Sequence, residues 1–147
     1  MKVTLLMTAI VFTLLHLKFN FSVVDFSQNS ENGIEFHQGS WNEALELARK
    51  ENKVIFLDVY ASWCGPCKLM KRKTFAEKQV GEYFNSRFIN VSMDGEMGEG
   101  RVLFKEFGIK AYPSLLFVDA EGNLLIKKEG YHSPAQLNAL GKKVLKE

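Results

Sequence analysis

Val54-Ile55-Phe56-Leu57-Asp58-Val59-Tyr60-Ala61-Ser62-Trp63-Cys64-Gly65-Pro66-Cys67-Lys68 sets an apolar, β-branched run directly against a pair of cysteines. The run Val54–Tyr60 is short and bounded in the manner of a buried strand. The 147 residues of the chain hold 2 cysteines, and both fall here. A strand that hands a Cys-X-X-Cys to the first turn of a helix is a thiol–disulfide exchange site.

The spacing has a physical basis. Residues three apart at a helix start share a face, with Cβ atoms about 5–6 Å apart, close to what a disulfide needs. Cys64 would sit among the unpaired N–H groups and the positive end of the helix dipole. Both favour thiolate over thiol and place its pKa below the roughly 8.5 of a free cysteine. Cys67 falls one turn further in and is expected to be the less exposed sulfur, placed to attack a mixed disulfide at Cys64. Pro66 suits a first helical turn, where its missing N–H costs nothing. Gly65 leaves room for a partner chain. A zinc site would need two further ligands, and outside the N-terminal apolar segment only His37 and His132 remain, neither at ligand spacing. An inert staple across so short a loop would constrain the unfolded chain little. No metal or other cofactor is called for by dithiol chemistry.

A chain of 147 residues with 46% hydrophobic content builds one compact core. Of its 19 basic and 17 acidic residues, Lys2 and Lys18 are the only charges in residues 1–22, so the remainder is balanced. Nothing there predicts a nucleic-acid surface. Lys68, Lys71, Arg72 and Lys73 flank the cysteine helix; a solvated helix face explains them more simply than a patch for acidic partners. Residues 1–22, with the apolar stretch Val3–Leu15 after Lys2, have signal-peptide length and are short for a membrane span. They read as a cleaved export signal or a retained N-terminal anchor, and in either case as a mark of export. Residues 23–33 read as a polar linker, and residues 34–147 as the folded domain.

The rest alternates strands and helices. Ile34–Phe36 is a short strand candidate. Ser40 and Glu43 form a capping-box signature for a helix ending near Glu51. Strand 53–60 follows, then the Cys64 helix to about Lys73, a helix over Phe75–Asn85, a strand over Phe88–Met93 and a loop over Gly95–Gly100. Arg101–Phe107 predicts a helix, Ser114–Asp119 and Leu124–Lys128 a hairpin, and Ser133-Pro134 the start of a last helix. The pattern predicts an α/β fold with a central mixed β-sheet and helices on both faces.

In this order the residues resemble the thioredoxin family over roughly residues 34–146. Trp63–Lys68 matches the family active site at every position. Asp58 falls where the family keeps a buried carboxylate, Pro113 where it keeps a cis-proline, Gly122 in the hairpin turn, and Gly130 at the glycine beside the active site. Lys73–Val80 is more similar to the exported branch that includes the C-terminal domain of DsbD-type disulfide reductases. The resemblance implies a thioredoxin fold and an exported, monomeric thiol–disulfide oxidoreductase. Its partners would be disulfide-containing protein substrates and a membrane electron donor, and it would meet the membrane only through residues 1–22. It implies that Tyr112-Pro113 is cis and offers strand-like hydrogen bonds to an extended substrate beside Cys64. In a buried strand, Asp58 would have a raised pKa and could take the proton of Cys67. Trp63 and Tyr112 read equally well as a substrate-facing surface or as packing for the loop, and Tyr60 reads as core.

Two departures stand out. Thioredoxin has a lysine near the buried carboxylate where this chain has Asn90. Tyr112 replaces an aliphatic residue, so its hydroxyl could contact a cysteine sulfur or contribute to substrate choice. Gly-Pro between the cysteines resembles the reducing members, whereas oxidants and isomerases of the family carry a histidine. An oxidant or isomerase, and a non-catalytic binding or chaperone module of the same fold, are the competing functions.

Overall fold

The computed structural model describes residues 33–147. The predicted signal or anchor (1–22) and all of the predicted linker except Gly33 lie outside the described residues. The elements are α1 (Trp41–Glu51), β1 (Val54–Tyr60), α2 (Gly65–Lys73), α3 (Lys78–Arg87), β2 (Phe88–Asp94), α4 (Gly98–Glu106), β3 (Ser114–Val118), β4 (Leu124–Glu129) and α5 (Pro134–Leu145). The sheet order is β2-β1-β3-β4. β1 runs parallel to β2 and antiparallel to β3, and β3 pairs antiparallel with β4. This is the predicted mixed sheet, and its side-chain alternation builds two cores.

Ile55, Leu57 and Val59 point to one face, where Ala44 and Ala48 of α1 and Leu103 of α4 cover them. Phe56 points to the other, against Met70 of α2, Val80 and Phe84 of α3 and Leu137 of α5. The second core is built around aromatic rings. Phe56 and Phe84 lie 4.9 Å apart edge-on, Phe84 stacks on Phe88 at 4.9 Å, and Phe117 meets both Phe56 and Phe88 at 5.3 Å. Both capping boxes form: Ser40 with Glu43 starts α1, and Ser133 with Gln136 starts α5.

Three element boundaries differ from expectation. Ile34–Phe36 is not a strand, because its backbone bonds to two asparagine side chains and to one loop carbonyl in place of a ladder. Glu35 N–H donates to Asn85 Oδ1 at 2.9 Å, Asn90 Nδ2 donates to the Glu35 carbonyl at 3.3 Å, and Ile34 N–H goes to Phe75 O at 2.7 Å. α3 begins at Lys78, not Phe75: the Phe75 ring turns into the core, and Glu77 caps the helix by accepting the Val80 N–H at 3.0 Å. α4 begins three residues before Arg101. Its glycines read as loop, but Gly100 is needed for packing, since a Cβ there would lie 2.1 Å from Asp94 O.

A glycine also seals the N-terminal segment onto α3. A Cβ on Gly81 would lie 2.3 Å from the backbone of Gly33, which itself takes a φ of +89°. An exposed helical glycine gains about 1 kcal/mol when changed to alanine. Gly81→Ala is instead expected to lose about 1–3 kcal/mol through overpacking, read from the urea midpoint at constant m-value. A gain would show that the segment yields freely.

Candidate active site

β1 ends at Tyr60 and α2 begins at Gly65, so the intervening residues must reverse the chain. The Cys64 N–H closes the turn on Ala61 O at 3.1 Å. Cys64 is the N-cap, with the extended backbone (φ −71°, ψ 113°) of an ordinary Ser or Thr cap, and its Sγ accepts the Cys67 N–H at 3.1 Å. Sulfur therefore occupies the capping position, where helix dipole and amide donor both favour negative charge. Pro66 lies in the first turn of α2. Gly65 faces open space, with nothing within 4 Å of a hypothetical Cβ. Cys64 and Cys67 are joined in a disulfide, with Cα atoms 5.3 Å apart.

The expected order of exposure is reversed. Cys64 is 2% exposed and Cys67 7%. Cys64 is enclosed because Ala61, Tyr60 and Tyr112 pack around the disulfide, while Cys67 opens onto a cleft. Tyr60 thus belongs to the surroundings of the disulfide and the cleft wall rather than to either large core.

The cleft, of about 490 Å³, is lined among others by Asp58, Tyr60, Cys67, Lys68, Lys71 and Ser92. Asp58 is 4% exposed and lies across from Ser92 in the parallel β1–β2 register. Ser92 Oγ donates to Asp58 Oδ2 at 2.8 Å. Burial pushes the Asp58 carboxyl up from 3.8 to about 7, opposed by the Ser92 hydrogen bond and by the Lys71 ammonium. Asn90 sits two residues earlier on the same strand face and turns away. Its amide is spent on Glu35 O and on Asn85 Oδ1 at 3.1 Å. The polar neighbour of Asp58 is therefore the Ser92 hydroxyl.

Tyr112-Pro113 is cis, as the resemblance implied. The Gly130 N–H donates to Pro113 O at 2.8 Å, which ties the end of β4 to the proline. Tyr112 packs against the disulfide, meets Phe104 at 5.2 Å and receives the edge of Trp63 at 5.9 Å. Its hydroxyl makes no hydrogen bond to either sulfur. It lies over Gly95, where a Cβ would come within 2.8 Å of it. Burial and then the Glu96 and Asp94 carboxylates push the Tyr112 phenol up. Trp63 is 66% exposed, and its Nε1 donates to Glu96 Oε1 at 3.1 Å. The structure thus gathers Trp63, Cys64, Cys67 and Tyr112, with Gly65 and Pro66 between the cysteines, Pro113 following Tyr112, Gly130 hydrogen-bonded to Pro113, and Asp58 on the cleft that Cys67 lines.

Sequence reasoning missed Ser92 and Glu96, and read Lys71, which lines the cleft, as part of a solvated helix face. Two parallel neighbouring strands bring their C-terminal ends together, which is where Trp63 and Glu96 meet. That signal was legible only once β1 and β2 were known to be adjacent. Lys68, Lys71, Arg72 and Lys73 are exposed and form no ion pair among the described residues. No three His, Cys, Asp or Glu side chains converge on a metal site among the described residues.

Residues 41–145 match the family model of the thioredoxin-like domain. The thiol:disulfide interchange protein DsbD of Haemophilus influenzae is 33% identical over 93 residues, covering 61% of this chain and 16% of that protein. DsbD of Yersinia pestis is 32% identical over 78 residues, covering 52% of this chain and 13% of its own length. The chain therefore spans a small part of these relatives. Among solved structures, a candidate disulphide-isomerase from Bacteroides thetaiotaomicron is 39% identical with a TM-score of 0.69, covering 79% of this chain and 97% of that one. The oxidised C-terminal domain of Neisseria meningitidis DsbD shares the fold, at 24% identity and a TM-score of 0.60 over 75% of this chain and 97% of that one.

The Asp58 shift has a signed consequence for stability. From the unfolded value of 3.8 up to about pH 7 the folded state holds a proton that the unfolded chain has lost. Stability conferred at low pH therefore falls as pH rises through that window and is level above it. Asp58→Asn removes the titration. The variant is expected to exceed the parent at pH 8 by at most about 4 kcal/mol, with the gap narrowing to its minimum at pH 3.5, in urea melts of the oxidised protein. A gap independent of pH would rule out a buried, titrating carboxyl.

Proposed function

The chain belongs to the thioredoxin-like family of thiol–disulfide oxidoreductases, and from that membership we propose that it is an exported reductant of protein disulfides. One observation carries the reading: Cys64 caps α2 through its sulfur, Tyr112 of the cis Tyr112-Pro113 bond packs against its disulfide, and Cys67 shares a cleft with the buried Asp58. In the reduced protein the Cys64 thiolate attacks a substrate disulfide and forms a mixed disulfide. Cys67 then displaces the substrate thiolate, leaving Cys64–Cys67 oxidised. The Cys67 proton must leave as its sulfur attacks, and Asp58, held near neutrality on the same cleft, is the group to take it. The cleft gives that proton a way to water. The substrate lies across Trp63, Gly65 and the backbone of Tyr112-Pro113, with Pro66 and Gly130 completing the rim.

The absence of a histidine between the cysteines supports the reducing direction. Residues 1–22, as signal or anchor ahead of a 23–33 linker and a 34–147 domain, support export. An exported reductant needs electrons replenished, and the similarity to part of DsbD supports a membrane protein as the donor. Among the described residues no helix is long and apolar enough to cross a membrane. The relative described as a candidate disulphide-isomerase favours a second reading, in which the same dithiol reshuffles or oxidises disulfides.

The reduction potential of Cys64/Cys67, equilibrated against glutathione, separates the two. A reductant is expected at about −270 to −230 mV, and a value of about −180 to −120 mV would assign the isomerase or oxidant role. Insulin reduction that survives Cys64→Ser would refute the dithiol mechanism itself.

A further inference from the structure

Cys64 is 2% exposed, yet it must meet a partner sulfur in line with the Cys64–Cys67 bond. Tyr112 is packed against that disulfide. Three of the walls that hold Tyr112 are fixed. Phe104 comes from α4, the disulfide from α2, and Gly95 is anchored by its N–H to Tyr60 O at 2.8 Å. The exposed neighbour of Tyr112 is the Trp63 ring, at 66% exposure. Besides that edge contact with Tyr112, the hydrogen bond from Trp63 Nε1 to Glu96 Oε1 holds the indole. Glu96 is a firm anchor for it. Its N–H donates to Asp94 Oδ1 at 2.9 Å, and its carbonyl accepts from Arg101 Nε at 2.8 Å.

We propose that Glu96 is a positioning residue for thiol–disulfide exchange: through the Trp63 indole it latches the Trp63–Tyr112 pair against the disulfide, and opening that latch admits the partner to Cys64. The inference rests on the proposed attack at Cys64. A latch closed to the same degree in the oxidised and the reduced protein stabilises both end states alike and must open before either reaction. It slows reduction and oxidation of the pair by the same factor and leaves their ratio, the equilibrium constant, unchanged. A carboxylate acting by its charge on a thiolate would do the reverse, shifting the ratio.

Both anchoring hydrogen bonds of Glu96 use its main chain, so Glu96→Ala keeps the loop while removing the indole acceptor. Glu96→Gln keeps an acceptor oxygen and loses the charge. The probes are dithiothreitol for reduction and 2-hydroxyethyl disulfide for oxidation, each followed by stopped flow on the full chain. In reduction, a dithiothreitol thiolate attacks Cys64 Sγ, the Cys64–Cys67 bond breaks, and Cys67 leaves as thiolate and takes a proton. The second dithiothreitol thiol then displaces Cys64 and leaves as the cyclic disulfide, so two electrons pass to the protein.

Glu96→Ala is expected to raise both rate constants about fivefold, the worth of one exposed hydrogen bond. The reduction potential stays at the parent value, and Glu96→Gln stays near the parent in both rates. Unchanged or slower rates in Glu96→Ala overturn the latch, as does a change in one direction only with a shifted potential. Glu96→Gln matching Glu96→Ala also overturns it, since charge and not the hydrogen bond would then be responsible. A parent protein that exchanges with neither probe refutes the underlying dithiol reading, a result distinct from a parent that exchanges and a variant that does not differ.

Discussion

β1 is hydrogen-bonded along both edges and covered on both faces, and the rest of the structure is arranged around that double burial. A strand so placed has no freedom to slip, because a one-residue shift would exchange the Ile55-Leu57-Val59 face for the Phe56-Asp58 face. Its C-terminal end therefore arrives at a fixed point, and the turn into α2 inherits that precision. Asp58 is the cost of the arrangement. It is the one carboxyl in the strand, and burial, with a hydroxyl as its hydrogen-bond partner, raises it to about 7, so that near neutral pH both its acid and its base form are within reach.

The start of α2 answers a second requirement with the same atoms. A helix leaves its first N–H groups unpaired, and an oxygen from Ser, Thr, Asp or Asn normally satisfies one of them. Here the Cys64 sulfur does so. A thiolate is a stronger acceptor than a disulfide sulfur, and hydrogen bonds to ionised acceptors are the stronger kind. The cap thus tightens when the bond to Cys67 opens, so folding geometry and thiolate stabilisation pull in one direction. At the other end, Lys71, Arg72 and Lys73 lie in the last turn, at the negative pole of the helix dipole.

The sequence carried those parts of the molecule that depend on local chemistry. The buried run at β1, the Ser40 and Ser133 capping boxes and the Cys-Gly-Pro-Cys helix start are each written in consecutive residues. Sequence reading fell short where distant groups compete for the same backbone. Ile34–Phe36 has strand composition, but Asn85 and Asn90, fifty and more residues on, take the hydrogen bonds of Glu35. Gly98 and Gly100 read as loop because a single chain does not show how closely α4 lies on β2. Asn90 aligned with the family's lysine, yet pairing register, which emerges only on folding, sets Ser92 against Asp58. The relative exposure of the two cysteines was likewise set by Tyr112, a residue forty-odd positions away.

That reversed exposure gives the disulfide two unlike sides. Cys64 does not line the cleft, and Tyr112, with the exposed Trp63 against it, packs on the disulfide. Cys67 lines a cleft that holds Asp58, Ser92 and two lysines together with Phe36, Tyr60 and Phe75. Thiol–disulfide exchange needs one sulfur to meet a partner and the other to lose and regain a proton. On the proposed mechanism these needs would conflict at a single opening, since water admitted for the proton would also admit stray thiols to the mixed disulfide. With partner access on the aromatic side and proton access through the cleft, each can be limited independently.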